Sequence, residues 1–173
     1  MKKILLAVPF VLFFVSCKEK KEDKLLKKWQ ATSLESPTMD QMIADQTEFL
    51  DTFGKSTTPA QNDSMYGTRN VDSMRESLKA QLNDFKAMQE HSVKNTWFEF
   101  FKGGKAIMNF SGQADSTNWF IEEDSVLVLD EMGMKGAGSK IRMGIVQLDN
   151  KQLKLRFTED GMTSTVTFEP AKK

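Results

Sequence analysis

The chain is poor in the residues that most often carry chemistry. It has one cysteine and one histidine in 173 residues. A single cysteine rules out an internal disulfide, so in an exported chain Cys17 needs another explanation. A single histidine, His91, leaves no partner for a histidine-based triad or metal cluster. It falls at the end of a helical stretch, where the dipole favours its charged form, and reads as a surface or capping residue. Net charge is absent as well: 24 basic side chains balance 24 acidic ones, which leaves no electrostatic footprint for nucleic acid. The chain also lacks a membrane-spanning run. The longest apolar stretch, Ile4–Val15, has 12 residues, against the roughly 20 that a helix needs to cross a bilayer.

Spaced catalytic motifs are missing too. No HExxH, no acidic calcium loop and no GxSxG occurs. Gly133, Gly136 and Gly138 superficially suggest a phosphate loop, but they lack the lysine-serine ending and follow a strand of a meander, so they read as a flexible loop. The adjacent acids Glu122-Glu123-Asp124, Asp130-Glu131 and Glu159-Asp160 sit beside turns. Neighbours in a strand point to opposite faces, so these are solvated turn acids and not a general acid/base pair. With no nucleophile–base arrangement, the expectation is a non-enzyme with no cofactor and no metal.

What is present begins with the leader, MKKILLAVPFVLFFVSC. A basic start, an apolar centre and small residues before a processing point form an export signal over residues 1–16. Cys17, directly after Phe14-Val15-Ser16, resembles the lipobox of bacterial lipoproteins. That resemblance implies lipidation of Cys17 and membrane contact through the anchor. Lasting attachment takes more than one acyl chain. The implied location is the bacterial cell envelope, outer membrane, on its periplasmic side or at the cell surface. Lys18–Lys24 (KEKKEDK) is too charged to pack and completes a tether over residues 17–24. Residues 25–173 are then long enough for one domain with a sizeable core.

Period two and period 3.6 divide that domain. Leu25–Glu35 has a strand pattern, with Trp29, Ala31 and Ser33 on one face and Leu26 and Leu34 on the other. Ser36-Pro37 opens a helix whose stripe is Met39, Met42, Ile43, Phe49, Leu50 and Phe53, stopped by Gly54. A polar loop, KSTTPAQNDS, follows. Asn70 caps a second helix carrying Val71, Met74, Leu78, Leu82, Phe85 and Met88. After His91 come seven short strands in sequence, with a turn at Lys102-Gly103-Gly104, a glycine-rich gap at GMKGAGSK and a hairpin signal at Asp160-Gly161. The predicted fold is mainly β with two helices. It is an antiparallel meander forming an up-and-down barrel or a strongly curled sheet, with a helical insertion at about 36–94. Pairing Leu25–Leu34 with the last strand would close it.

WQATSLE from Trp29, WFEFFKGGKAIMNF, NWFIEEDSVLVLD, IVQLDNKQLKLRF and the closing VTF are similar to the lipocalin-like domains of Bacteroidota lipoproteins. The likeness covers Leu25–Glu35 and Asn95–Phe168. The chain departs from that pattern at Lys28, where a glycine is common, and through the insertion. The resemblance implies a small calyx-like barrel whose ligands are mostly undefined.

A candidate site follows from the surplus of aromatics and methionines. Phe98 and Phe100 share one face of their strand, and Trp97 and Phe101 the other. Phe110 and Trp119 add bulk, and Met132 and Met134 flank the glycine-rich gap. Methionine suits both core filling and promiscuous apolar pockets. Trp97, Phe98, Phe100, Phe110, Trp119, Met132 and Met134 are therefore the candidate ligand-binding residues, with a mouth near Met132–Gly138. Two readings stay open: a calyx for an apolar or amphipathic small molecule, or a filled core whose helical insertion contacts another envelope protein.

Overall fold

The computed structural model describes residues 20–110 and 112–172. The leader, Cys17 and the start of the charged tether lie outside the described residues. In chain order the elements are α1 (Lys21–Leu25), β1 (Lys28–Glu35), α2 (Pro37–Thr52), α3 (Pro59–Tyr66), α4 (Asp72–Asn95), β2 (Trp97–Phe101) and β3 (Lys105–Phe110). Then come β4 (Gln113–Glu122), β5 (Val126–Asp130), α5 (Glu131–Lys135), β6 (Lys140–Leu148), β7 (Leu153–Glu159) and β8 (Met162–Pro170).

The eight strands form a closed antiparallel barrel in sequence order, β1 pairing with β8 to complete the circle. Closure leaves no free sheet edge along most of its circumference. Inward positions are supplied by alternate residues of every strand: Trp29, Phe98, Met108, Trp119, Leu129, Met143, Leu155 and Phe168 all belong to one buried cluster. Among the described residues this cluster forms one continuous core from α1 to β8.

The two ends of the barrel differ. At the lower end, α1 delivers Leu25, fully buried, beneath Trp29, whose indole Nε1–H donates to the Leu25 carbonyl at 3.0 Å. The Lys21 ammonium reaches the carbonyl of Asp124 in the β4–β5 turn, which ties α1 across this end. Lys21, Glu22 and Asp23 of the charged segment stay exposed. At the upper end β1 leaves into the insertion, and α4 returns to deliver β2. That end also carries α5 and the β7–β8 hairpin.

Three helices appear beyond the two that periodicity predicts. The segment read as a polar loop contains α3. Thr58 and Gln61 cap each other's backbone there: Gln61 N–H donates to Thr58 Oγ1 at 3.3 Å, and Thr58 N–H to Gln61 Oε1 at 2.8 Å, with Pro59 in the first turn. Its local capping signal outweighs a weak apolar stripe. The glycine-rich gap holds α5, a single turn capped by Asp130 Oδ1 accepting from Gly133 N–H at 2.7 Å. α1 forms within the charged segment and its junction with the domain.

The expected faces of β1 also change midway. Trp29 and Ala31 point inward, but Ser33 is exposed and Leu34 turns toward the interior. The pairing with β8 slips between Ala31 and Ser33, so Thr32 is an extra residue on β1. A bulge of this kind shifts the alternation by one and swaps the faces beyond it.

Candidate ligand cavity

The lower half of the barrel is solid. Phe100 and Trp119 are buried there at a ring separation of 5.3 Å and a near-perpendicular angle of 72°, and the Trp119 indole N–H donates to Phe101 O at 3.2 Å. This geometry suits the aromatic quadrupole and satisfies the polar edge of the tryptophan. Phe98 lies one step higher, with Phe168 at 5.0 Å and Phe110 at 5.5 Å. Above it the filling stops.

The space left is a cavity of about 270 Å³, near the low end of the roughly 300–1,000 Å³ typical of small-molecule sites. Its floor and walls come from strands: Ala31 and Leu34 of β1, Phe98 of β2, Met143 of β6, Leu155 and Phe157 of β7, and Val166 and Phe168 of β8. Its roof is the last two turns of α4 and the residue after it, through Met88, Gln89, Ser92, Val93 and Thr96. Among the described residues no acidic, basic or histidine side chain lines it. The polar atoms are few, and two of the groups are already engaged: Thr96 Oγ1 donates to Ser92 O at 2.8 Å, and Gln89 Nε2 to Met39 Sδ at 2.8 Å. Phe110 closes the upper corner of β3. Phe110 and Met88 line the space yet are 40% and 60% exposed, which marks the mouth between α4 and the β3–β4 corner.

Of the seven candidate residues, Phe98 and Phe110 line the cavity. Phe100 and Trp119 are buried beneath it. Trp97 stands on the outer face of β2, its ring 3.6 Å from the Lys28 ammonium, a cation–π contact that keeps it occupied outside the barrel. Met132 and Met134 sit exposed on α5 at the same end as the mouth but outside the cavity lining. The roof residues are the ones that sequence reasoning passed over. The helical stripe ends at Met88 on apolar content alone, whereas α4 runs to Asn95 and presents Gln89 beside Met88, with Ser92 and Val93 one turn further on. Val93, at i+8 from Phe85 on the predicted stripe, was the available signal.

The two carboxylates held below the usual range are remote from this space. Asp115 is lowered by its hydrogen bond from the Lys135 ammonium and by Ser116 N–H, and Asp149 by Gln147 and the amides of Lys151 and Gln152. Among the described residues no group of three or more His, Cys, Asp or Glu is placed to hold a metal. The turn acids Glu123 and Asp124 adopt positive φ at the β4–β5 corner and are exposed. His91 is exposed on α4, its carbonyl accepting from Asn95 Nδ2 at 2.9 Å. Comparison of the chain with known protein families, with curated proteins and with solved structures finds no match.

Proposed function

We propose that this protein is a non-catalytic lipoprotein of the bacterial envelope, anchored through Cys17, that holds a small apolar or amphipathic molecule in the upper half of its barrel. The observation that carries this reading is the half-filled interior. Close packing elsewhere leaves few voids larger than a water, yet here about 270 Å³ stands open beside fully packed aromatics. Its walls are apolar, and an apolar solute gains by leaving water for such walls. The up-and-down barrel supports the narrower likeness to lipocalin-like envelope lipoproteins, and the leader with Ser16-Cys17 supports the anchor. With no titratable side chain on the lining among the described residues, the site suits holding a molecule better than transforming one.

The test is native mass spectrometry of the chain from Lys20 onward, after gentle exposure to an envelope lipid extract. A discrete added mass that is lost on denaturation is expected, and Val166→Phe, which adds bulk to the cavity wall, should abolish it. A clean apo mass after exposure to fatty acids and haem-like compounds would sink the carrier reading.

A second reading has its own observation. Met42 and Phe49 on α2 are 61% and 50% exposed, and Phe85 on α4 is also exposed. These side chains favour contact of the helical insertion with another envelope protein. Cross-linking from Met42→Cys in intact envelopes would capture that partner, and no cross-linked species would count against it.

A further inference from the structure

We infer that the barrel cavity and the cleft beside it form one two-chamber site for a single-chain zwitterionic amphiphile, with the tail in the barrel, the head under the helices and the Gln89 amide at the junction. This rests on the barrel cavity being a ligand site, and it names the class of ligand that site takes.

The first support is a gap in the barrel wall. β2 pairs with β1 only over Lys28–Gln30, whereas β8 follows β1 as far as Glu35. Above Gln30 no strand among the described residues lies on the β2 side of β1. The end of α4 fills part of the opening: Ala31 N–H donates to Thr96 O at 2.9 Å, and Gln30 Nε2 to Lys94 O at 2.8 Å. Outside the gap, α2, α4 and upper β1 enclose a cleft of about 540 Å³. The two spaces share Leu34, Gln89 and Val93 as their common wall.

The chambers differ in chemistry in the way an amphiphile does. Among the described residues the inner one has no charged lining. The outer one presents Lys86 and Lys94 together with Asp40 and Glu90, beside the hydroxyls of Thr32 and Ser33. Its charges balance, so a lone anionic head would meet two carboxylates as well as two ammonium groups. A head carrying both signs meets a partner for each. Glu90 and Lys94 lie 3.8 Å apart, while Asp40 and Lys86 make no ion pair among the described residues. One cation and one anion thus remain for a ligand.

Gln89 stands where tail would give way to head. It is half-buried, and its amide N–H donates to a thioether sulfur, Met39 Sδ. Sulfur is a weak acceptor. A phosphate, ester or hydroxyl oxygen entering at the junction is a stronger one, so exchanging Met39 for the ligand is favourable.

The test compares octanol with octylphosphocholine, below its micelle-forming concentration, by titration calorimetry on the chain from Lys20 onward. Both should bind, the zwitterion about tenfold more tightly, which is the scale of one or two added hydrogen bonds. Gln89→Leu, read as the ratio of the two affinities, should remove most of that advantage. Lys86→Gln, on the helix flank and safe for folding, should reduce it about threefold, as expected of a partly exposed charge contact. Octanol binding with no gain from the head, or equal loss of both ligands in Gln89→Leu, would overturn the two-chamber site while leaving the barrel cavity standing. If neither molecule binds, the cavity reading falls with it.

Discussion

Phe98 and Phe110 are neighbours with opposite roles, and the contrast is set by burial. Phe98 is 1% exposed and meets three aromatic rings. Truncating it removes a large buried side chain and extends a cavity that is already open, so the lining has little means to collapse. Phe98→Ala should therefore cost about 3–5 kcal/mol of stability, the range for buried aromatics. Phe110 stands half out at the mouth, and Phe110→Ala should cost less than about 1 kcal/mol while weakening ligand retention. Urea unfolding of both variants checks the pair. Similar midpoints would mean that the interior around Phe98 is not packed as described. At this scale the sequence was informative about facing: period two in WFEFF puts Phe98 and Phe100 on one side and Trp97 on the other. It could not say how far up the barrel the packing would reach. Depth depends on which rings meet across strands distant in sequence, such as Phe98 with Phe168.

Elements were legible where they repeat and illegible where one or two residues decide. All eight strands and the two long helices announce themselves by alternation or stripe. α3 and α5 instead hang on local capping contacts, a reciprocal pair at Thr58 and Gln61 and one at Asp130, inside segments whose composition reads as loop. The bulge at Thr32 leaves no mark in β1 alone, because it is defined by its pairing with β8, yet it is what turns Leu34 inward to the cavity. α5 offers a measurable case of an element docked by one charge pair. Lys135 reaches Asp115 at the start of β4, and Asp115 is held below the ordinary carboxylate range first by that hydrogen bond and then by Ser116 N–H at 2.7 Å. A carboxylate depressed in the folded state contributes stability above its unfolded value near 3.9, and that contribution is lost as pH falls through the lower folded value. Lys135→Met should move the Asp115 titration back toward the ordinary value, read by carboxyl-carbon NMR against pH, and loosen α5 at neutral pH. An unmoved titration would mean that Lys135 is not what holds the helix turn down.

For the whole molecule, the consequence of the fold is directional. α1 and Leu25 plug the lower end, and α4 roofs the upper end where the cavity opens. Cys17 precedes Lys20 by three residues, a reach of about 10 Å even when extended. An acyl anchor at Cys17 would thus hold the plugged end against the bilayer. The mouth would then face away, on the order of 25 Å out, given strands of this length at barrel tilt. A ligand would enter from the aqueous side or from a partner there, not by sliding up from the leaflet that holds the anchor. That orientation also puts the exposed apolar side chains of α2 and α4 where a second protein could reach them, so the two functional readings need not compete for surface. The prediction is spatial. With the acylated protein on vesicles, a fluorophore at Lys151→Cys, in the β6–β7 turn of the plugged end, should be quenched by nitroxides confined to the bilayer. One at Met132→Cys, beside the mouth, should not. Quenching at Met132 would place the mouth on the membrane and would make direct extraction of a lipid from that leaflet the route into the barrel.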